Sequence, residues 1–387
     1  MKIATTIAFL WLAQLASNAA TLLVLTEPTA RGLSGDALEK VIRQDRRAGW
    51  NVIVREIPRW TGTWATNDWR LLNIMSNEVA TFCTTTSDCV QLVGKFPFLQ
   101  TGGQNDDGHY LRRIATDGWL GCSGLAFTDS DNWGMGGGDI MASNVAADGF
   151  PDEIIGTFRI PVTRVDASDM TSAAGNFSSG FLSGQPYQPA ISEGYWLRCY
   201  LTNVWQYQTR QWTNSETAYV DNGGSAWATG AASVQAANSS LTWTAGGSST
   251  AGGTYKIVHD ANTIDLWSPN FIDGSGNPLR ALWIITSKSF EMEVWDGQRH
   301  PLRRLFPGVI NQPFSLVASW CLGSIADPYF RTRTANVTVF DVIRSSAASF
   351  GGVSFKYNVY GWGTLMIDQP TATPSGQATA ATLTITE

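Results

Sequence analysis

Cys321 is the residue in this chain best placed to act as a nucleophile. It follows directly on the apolar run Phe314 to Trp320, in Val317-Ala-Ser-Trp-Cys-Leu-Gly-Ser-Ile-Ala-Asp327. Open α/β sheets bind ligands beyond the carboxyl ends of their strands, so a thiol there would face the crevice where chemistry usually sits. A cysteine after a strand also serves as a small buried hydrophobe, and position alone leaves both roles open. The other four cysteines are Cys83, Cys89, Cys122 and Cys199. In an oxidising compartment five cysteines leave at least one unpaired if the rest pair within the chain. Cys83 and Cys89 flank Thr-Thr-Thr-Ser-Asp, a spacing that could close a small loop.

The three histidines, His109, His259 and His300, are too scattered for a strong zinc signature, and no Cys-x-x-Cys or His-Glu-x-x-His occurs. Asp129-Ser-Asp-Asn132, with Asp139 nearby, clusters hard oxygen ligands suited to a structural calcium ion. It does not complete an EF-hand loop, because Trp133 falls at the fifth position and Ile140 at the twelfth. Turn-rich loops also collect Asp and Asn for backbone reasons. His109, in Asp106-Asp-Gly-His-Tyr110, sits in the same acidic region.

The elements that must position these residues alternate in type. Thr21 to Thr26 is a continuous apolar run of strand length, followed by a Gly-containing loop. Ser34 then precedes Ala37, Leu38, Val41 and Ile42, the spacing of a capped helix with one buried stripe. Asn51 to Glu56 reads as a strand, Trp69, Leu72, Ile74 and Val79 as a helix, and Val90 to Val93 as a third strand. That alternation predicts a parallel sheet covered by helices. Gln100 to Gly149, rich in Gly, Asp and Asn, reads as a long functional loop region, and Ile154 to Val162 is strand-like.

From Gln206 to Gly253 the composition shifts to Ser, Thr, Gly, Ala and Asn with Trp212, Trp227 and Trp243 interspersed, which predicts an irregular insertion. Ala281 to Thr286 and Phe314 to Ser319 are again strand-length apolar runs. Val337 to Ile343 has helical spacing, and Phe350 to Phe355 reads as a Gly-rich strand. The expected organisation is an N-terminal α/β subdomain over 21–165, a second over 166–368 containing the insertion at 206–253, and a tail over 369–387.

At the N-terminus Lys2 precedes an uncharged apolar stretch, Ile3 to Ala16, and then Ser17-Asn-Ala-Ala20. That is the three-part layout of a secretory signal, cleaved near residue 20. The expectation is an exported chain, whether secreted, periplasmic or held at the cell surface. No later segment approaches the roughly 18 uncharged apolar residues that span a bilayer, so no integral membrane segment is expected. A net charge of −6 with 26 Lys plus Arg and no long basic run argues against nucleic acid as a partner.

Several segments, taken in order, resemble the gingipain-type cysteine peptidases, a family with a caspase-like α/β fold. In that family one strand ends in a Thr-Gly-His-Gly type motif followed by a Trp, and the next ends in the nucleophilic cysteine. Ile285-Thr-Ser-Lys-Ser289 with Trp295 stands in the first place, and Ala318-Ser-Trp-Cys321 with Asp327 in the second. Val339-Phe-Asp-Val-Ile343 looks like the family's acidic helix after the nucleophile, and Tyr360-Gly-Trp-Gly363 with Asp368 is similar to its closing segment. Val90-Gln-Leu-Val-Gly94, Asp148-Gly-Phe-Pro-Asp152 and Arg159-Ile-Pro-Val162 resemble its strand-loop signatures, although Phe158 stands where a glycine usually precedes that arginine.

The resemblance implies a mainly parallel, caspase-like fold and a cysteine endopeptidase acting on protein or peptide through Cys321. It also implies a departure: Lys288 stands where the family has its catalytic histidine, flanked by Ser287 and Ser289 in place of glycines. A cysteine nucleophile needs its proton removed and the leaving amine needs one returned, work that an imidazole titrating near neutrality does well. Lys288 could lower the thiol pKa by its charge, or act as a base if strongly desolvated. His300, in Gln298-Arg-His-Pro301, could swing towards Cys321, although a histidine before a proline also fits an exposed loop; His259 reads the same way.

Three functions follow as expectations. The first in weight is a gingipain-like relative with degenerate or weak catalysis that keeps its fold for binding. The second is an active endopeptidase using Cys321 with a non-standard base. The third is a glycan- or protein-binding surface protein using Trp212, Trp227 and Trp243.

Overall fold

The structure is a computed structural model. It describes residues 19–62, 67–100, 115–128, 151, 153–168, 192–211, 217–222, 242–245, 253–259, 281–286, 315–319, 338–341, 343–344 and 357–366. Strand β1 (Thr21–Thr26) is buried along its whole length, as the uninterrupted run of Leu and Val requires of a strand covered on both faces. It pairs in parallel with β2 (Asn51–Glu56) on one side and β3 (Cys89–Val93) on the other. Their shared core gathers Leu23, Leu25, Leu72, Met75, Val79, Val90, Leu92 and Phe96. Each such side chain contributes roughly 1.5–3 kcal/mol relative to exposure.

The expected loop after β1 is instead a short helix, α1 (Pro28–Ser34). Proline fits its first turn because an N–H there would have no intrahelical acceptor, and the Glu27 carboxylate accepts from Thr29 N at 2.7 Å. Ser34 therefore does not cap the next helix; its hydroxyl donates back to Arg31 O at 2.8 Å. The cap of α2 (Asp36–Arg47) is Gly35, whose φ of 59° and ψ of −137° suit only glycine. Helix α2 buries Ala37, Leu38, Val41 and Ile42, the stripe read from the sequence. Helix α3 (Trp69–Phe82) starts at Asp68, whose carboxylate accepts from Leu71 N at 3.0 Å, and buries Leu71, Leu72, Met75 and Val79.

The stretch from 99 to 128 is not all loop. β4 (Leu99–Gln100) pairs with β5 (Ala115–Thr116), and β6 (Cys122–Thr128) forms an antiparallel ribbon with β7 (Glu153–Phe158). The single strand expected over Ile154 to Val162 is broken into β7 and β8 (Val162–Val165), which enters the main sheet. Arg159 N and Ile160 N both donate to Gly121 O, at 2.9 and 3.0 Å, and Pro161 has no N–H to offer a ladder. A Cβ on Gly121 would lie 2.0 Å from Ile160 O, so this crossing depends on glycine.

Helix α4 (Glu193–Gln208), capped by Ser192, packs Trp196, Leu197, Tyr200, Leu201, Val204 and Tyr207 inward and lies against α1 and α2. The region expected to be an irregular insertion supplies regular strands, β9 (Thr217–Asn222) and β10 (Thr242–Ala245), followed by β11 (Gly253–His259). β12 (Ala281–Thr286), β13 (Ser315–Ser319) and β14 (Tyr357–Tyr360) complete one ten-stranded sheet ordered β10-β9-β11-β12-β13-β14-β8-β3-β1-β2. Pairing is parallel throughout except between β13 and β14. The sheet is thus two five-stranded parallel halves running in opposite directions, with carboxyl edges on opposite sides. Among the described residues no helix is long and apolar enough to cross a membrane. Residues 1–18, the signal-like segment, lie outside the description, as does the strand expected over Phe350 to Phe355.

Candidate functional site

At the carboxyl edge of the β9–β13 half, the strands that precede Lys288 and Cys321 in the sequence end next to each other. β12 and β13 are hydrogen-bonded parallel neighbours, with Ile285 opposite Val317 and Thr286 opposite Ala318. Lys288 follows two residues after β12 ends, and Cys321 two residues after β13 ends. Neighbouring strands lie about 4.8 Å apart, so β12 and β13 end side by side at one edge. β11 ends at the same edge in His259, with Val258 paired to Thr286. The sequence reads His259 as a loop residue, because Gly253 and Lys256 interrupt the apolar run that would mark its strand. Lys288, Cys321 and His300 themselves lie outside the described residues, as do His109 and the candidate calcium ligands Asp129, Asp131 and Asp139.

What holds this edge in place can be followed residue by residue. β13 is fixed laterally by β14, through Leu316 opposite Tyr360 and Ala318 opposite Asn358. β14 is joined to β8 by Tyr360 opposite Arg164 and by Gly361 N donating to Arg164 O at 2.7 Å. The Gly361-Trp-Gly363 segment then turns into the core, with Gly361 at φ 126°. Trp362 is fully buried; its N donates to the Tyr200 hydroxyl at 2.8 Å and its Nε1 to Asp45 Oδ2 at 2.9 Å. Gly363 N donates to Gln91 Oε1 at 3.0 Å, and a Cβ there would lie 2.2 Å from the Phe340 ring. Each residue of the motif has a packing or hydrogen-bonding reason.

Residues 339–341 and 343–344 are helical, as their spacing predicts, and Val339, Phe340 and Ile343 are buried. Asp341 caps its own helix: its Oδ2 accepts from Thr338 N and Oγ1 at 3.0 and 2.8 Å, and its N donates back to Thr338 Oγ1 at 3.2 Å. Its Oδ1 accepts from Arg344 Nη1 at 2.8 Å, and Arg344 reaches the carbonyls of Thr86 and Ser87 at 3.0 and 3.1 Å. That clasp ties the segment downstream of Cys321 to the start of β3.

The opposite carboxyl edge, that of β1, β3 and β8, is filled by its own side chains. Chain order reverses between β1 and β3, the usual ligand crevice of an open α/β sheet. Glu27 occupies it, fully buried, paired with Arg59, which also takes both oxygens of Glu193 at 2.9 and 2.8 Å. Burial lowers the Arg59 pKa, but the hydrogen bonds and charges of Glu193 and Glu27 outweigh it, and the net direction is up. Gly94, at φ 114°, closes against Glu27, whose Cγ would lie 2.6 Å from a Cβ there. Beside it Arg164, with no exposed surface, binds Asp117 through Nε and Nη2 at 2.7 and 2.6 Å, donates to Phe96 O at 2.7 Å, and lies 3.8 Å from the centre of the Phe98 ring. Burial raises the Asp117 pKa and Arg164 pulls it back. This edge is an internal ion-pair lock.

Comparison with known proteins returns no match: no family model fits the chain, and neither a curated protein nor a solved structure matches it.

The described thiols narrow the choice of nucleophile. Cys83 and Cys89 form no disulfide, so the loop between them is not closed by one; the Cys83 thiol lies 3.9 Å from Cys89 O. Burial, aided by the charge of Asp88, pushes the Cys83 thiol up to about 12, and burial raises Cys89 as well. Neither forms a thiolate near neutrality. Among the described residues no group of three His, Cys, Asp or Glu side chains is placed to hold a metal ion.

Proposed function

We propose that this chain is an exported gingipain-like protein, with a caspase-like arrangement of its parallel strands. Its cysteine site is built on Cys321 with Lys288 in the place of the imidazole, and its peptide-bond hydrolysis is weak or lost. Its partner is a protein or peptide bound at the β12–β13 edge. The observation that carries this reading is the parallel pairing of β12 and β13, since the resemblance requires the strands preceding Lys288 and Cys321 to be neighbours. The filled crevice of the other half supports it, because its described charged groups, Glu27, Arg59, Glu193, Arg164 and Asp117, are already paired with one another.

The chemistry follows from the residue types. A lysine ammonium beside a thiol favours the thiolate, the attacking species. It does not accept a proton at neutral pH, so it cannot shuttle the thiol proton to the leaving amine as an imidazole does. Binding and nucleophilicity survive such a replacement better than turnover. A second reading, an active endopeptidase with an unusual base, draws on His259 at the same edge. β12 lies between β11 and β13, so their backbones are two spacings, about 10 Å, apart. That separation favours Lys288 as the neighbour of Cys321.

Hydrolysis of a mixed peptide library tests the proposal. The unaltered protein should show little or no turnover, Cys321→Ala should remove whatever remains, and the combined change Ser287→Gly, Lys288→His and Ser289→Gly should raise it. Robust Cys321-dependent turnover by the unaltered protein would overturn the degenerate reading in favour of the active one.

A further inference from the structure

Asp88 is a buried carboxylate whose charge is answered by no cation among the described residues. It is 3 % exposed; Oδ2 accepts from Thr85 N at 2.7 Å and Oδ1 from Thr21 N at 2.8 Å. Every ion pair among the described residues involves other carboxylates. The nearby cations bind the loop backbone instead: Arg159 donates to Thr84 O at 3.1 Å, and Arg344 to Thr86 O and Ser87 O. The remaining titratable neighbours, the Cys83 and Cys89 thiols, are both pushed up by burial and stay neutral. A buried anion left with two amide donors is costly, and a charge-assisted partner is what such a site lacks.

The residue on Asp88 is the first after the Ala pair that ends the signal-like segment. We infer that the export signal is cut between Ala20 and Thr21, and that the α-ammonium so created at Thr21 becomes the ion-pair partner of Asp88. The inference rests on the reading of residues 1–20 as a cleaved signal. Cleavage by a signal-processing peptidase uses water: the Ala20 C–N bond breaks, hydroxide ends on the Ala20 carboxyl, and the nitrogen of Thr21 gains the proton. It takes place before β1 is in its sheet, so the burial of Thr21 in the folded chain is no obstacle. One bond is given up, from Asn51 N to Ala20 O at 3.0 Å, at an exposed residue. In exchange a neutral N–H contact becomes an ion pair at 2.8 Å between β1 and the loop entering β3. The uncut chain is the less stable form, and processing locks β1.

Two measurements test this. The mass and N-terminal peptide of the exported protein should place the first residue at Thr21. Retention of Met1 would remove the cleaved-signal reading itself, whereas a start at Ala20 or elsewhere would leave cleavage standing and overturn the inference. Separately, the chain from Thr21 onward, released with a free amine from a cleavable fusion, is compared with one that keeps Ala19-Ala20 ahead of Thr21. At pH 7 the free-amine form should melt about 2–4 °C higher. An amine gaining a partner has its pKa raised above the ordinary value of about 7.7–8.0, so the advantage is present below that range and lost as pH rises through the folded value. Asp88→Asn should abolish the difference, and the pH arm decides without that variant. Equal melting of the two chains at pH 7, or a difference that persists unchanged at pH 11, would overturn the inference.

Discussion

The indole Nε1 of Trp362 donates to Oδ2 of Asp45 at 2.9 Å, joining the segment after β14 to helix α2. Asp45 is 1 % exposed, and its Oδ1 also accepts from Thr364 Oγ1 at 2.6 Å and Gln208 Nε2 at 2.8 Å. The knot fastens β14, and through β14 it fastens β13, the strand that leads to Cys321.

Burial pushes the Asp45 carboxyl up to about 7, against the hydrogen bonds from Thr364, Trp362 and Gln208. The unfolded value is about 3.9, so the folded state holds a proton that the unfolded state has released between those pH values. Stability from this group is therefore full below about pH 4 and falls as pH rises towards 7, by up to about 4 kcal/mol. Asp45→Asn should flatten that slope in urea melts between pH 4 and 7. Asparagine also brings a donor to Gln208 Oε1, which is buried without a partner, so the variant should be at least as stable as the parent at pH 7. A slope unchanged by the substitution would show that Asp45 is not the group that titrates.

Gly363→Ala should destabilise by about 1–3 kcal/mol, because the added methyl meets the buried Phe340 ring while Gly363 O and N are held by Phe340 N and Gln91 Oε1. Denaturant midpoints check this, and a loss below about 0.5 kcal/mol would mean that the segment yields easily.

Arg164→Met should cost about 3–5 kcal/mol, since it leaves Asp117 and Asp166 buried without their cation. Replacing Arg164 and Asp117 together by apolar residues should recover much of that loss, and the double-mutant cycle measures how much.

Much of this scaffold is legible in the sequence where one physical signal dominates. β1, β2, β12 and β13 are apolar runs bounded by turn residues, and α2 and α3 show their stripes, because a buried parallel strand or a one-sided helix leaves few other patterns. β9 and β10 are hidden because Thr-Ala-Tyr-Val-Asp-Asn and Thr-Trp-Thr-Ala are short, mixed in polarity and set among Ser, Thr and Gly. The break before β8 depends on Gly121, nearly forty residues earlier, accepting two N–H groups at once, and no local pattern reveals it. Of the site, the neighbouring of the strands before Lys288 and Cys321 was anticipated, whereas the arrival of His259 at the same edge required the strand order.

The most direct test of the central claim is the pH dependence of Cys321 alkylation, followed by mass at the Cys321 peptide in the parent, Lys288→Ala and His259→Ala. If Lys288 stands beside Cys321 on the paired strand ends, the parent thiol titrates below the ordinary value of about 8.5. Lys288→Ala then slows its alkylation at pH 7 by about three- to tenfold, while His259→Ala leaves it unchanged. An alkylation rate indifferent to Lys288 would contradict the account.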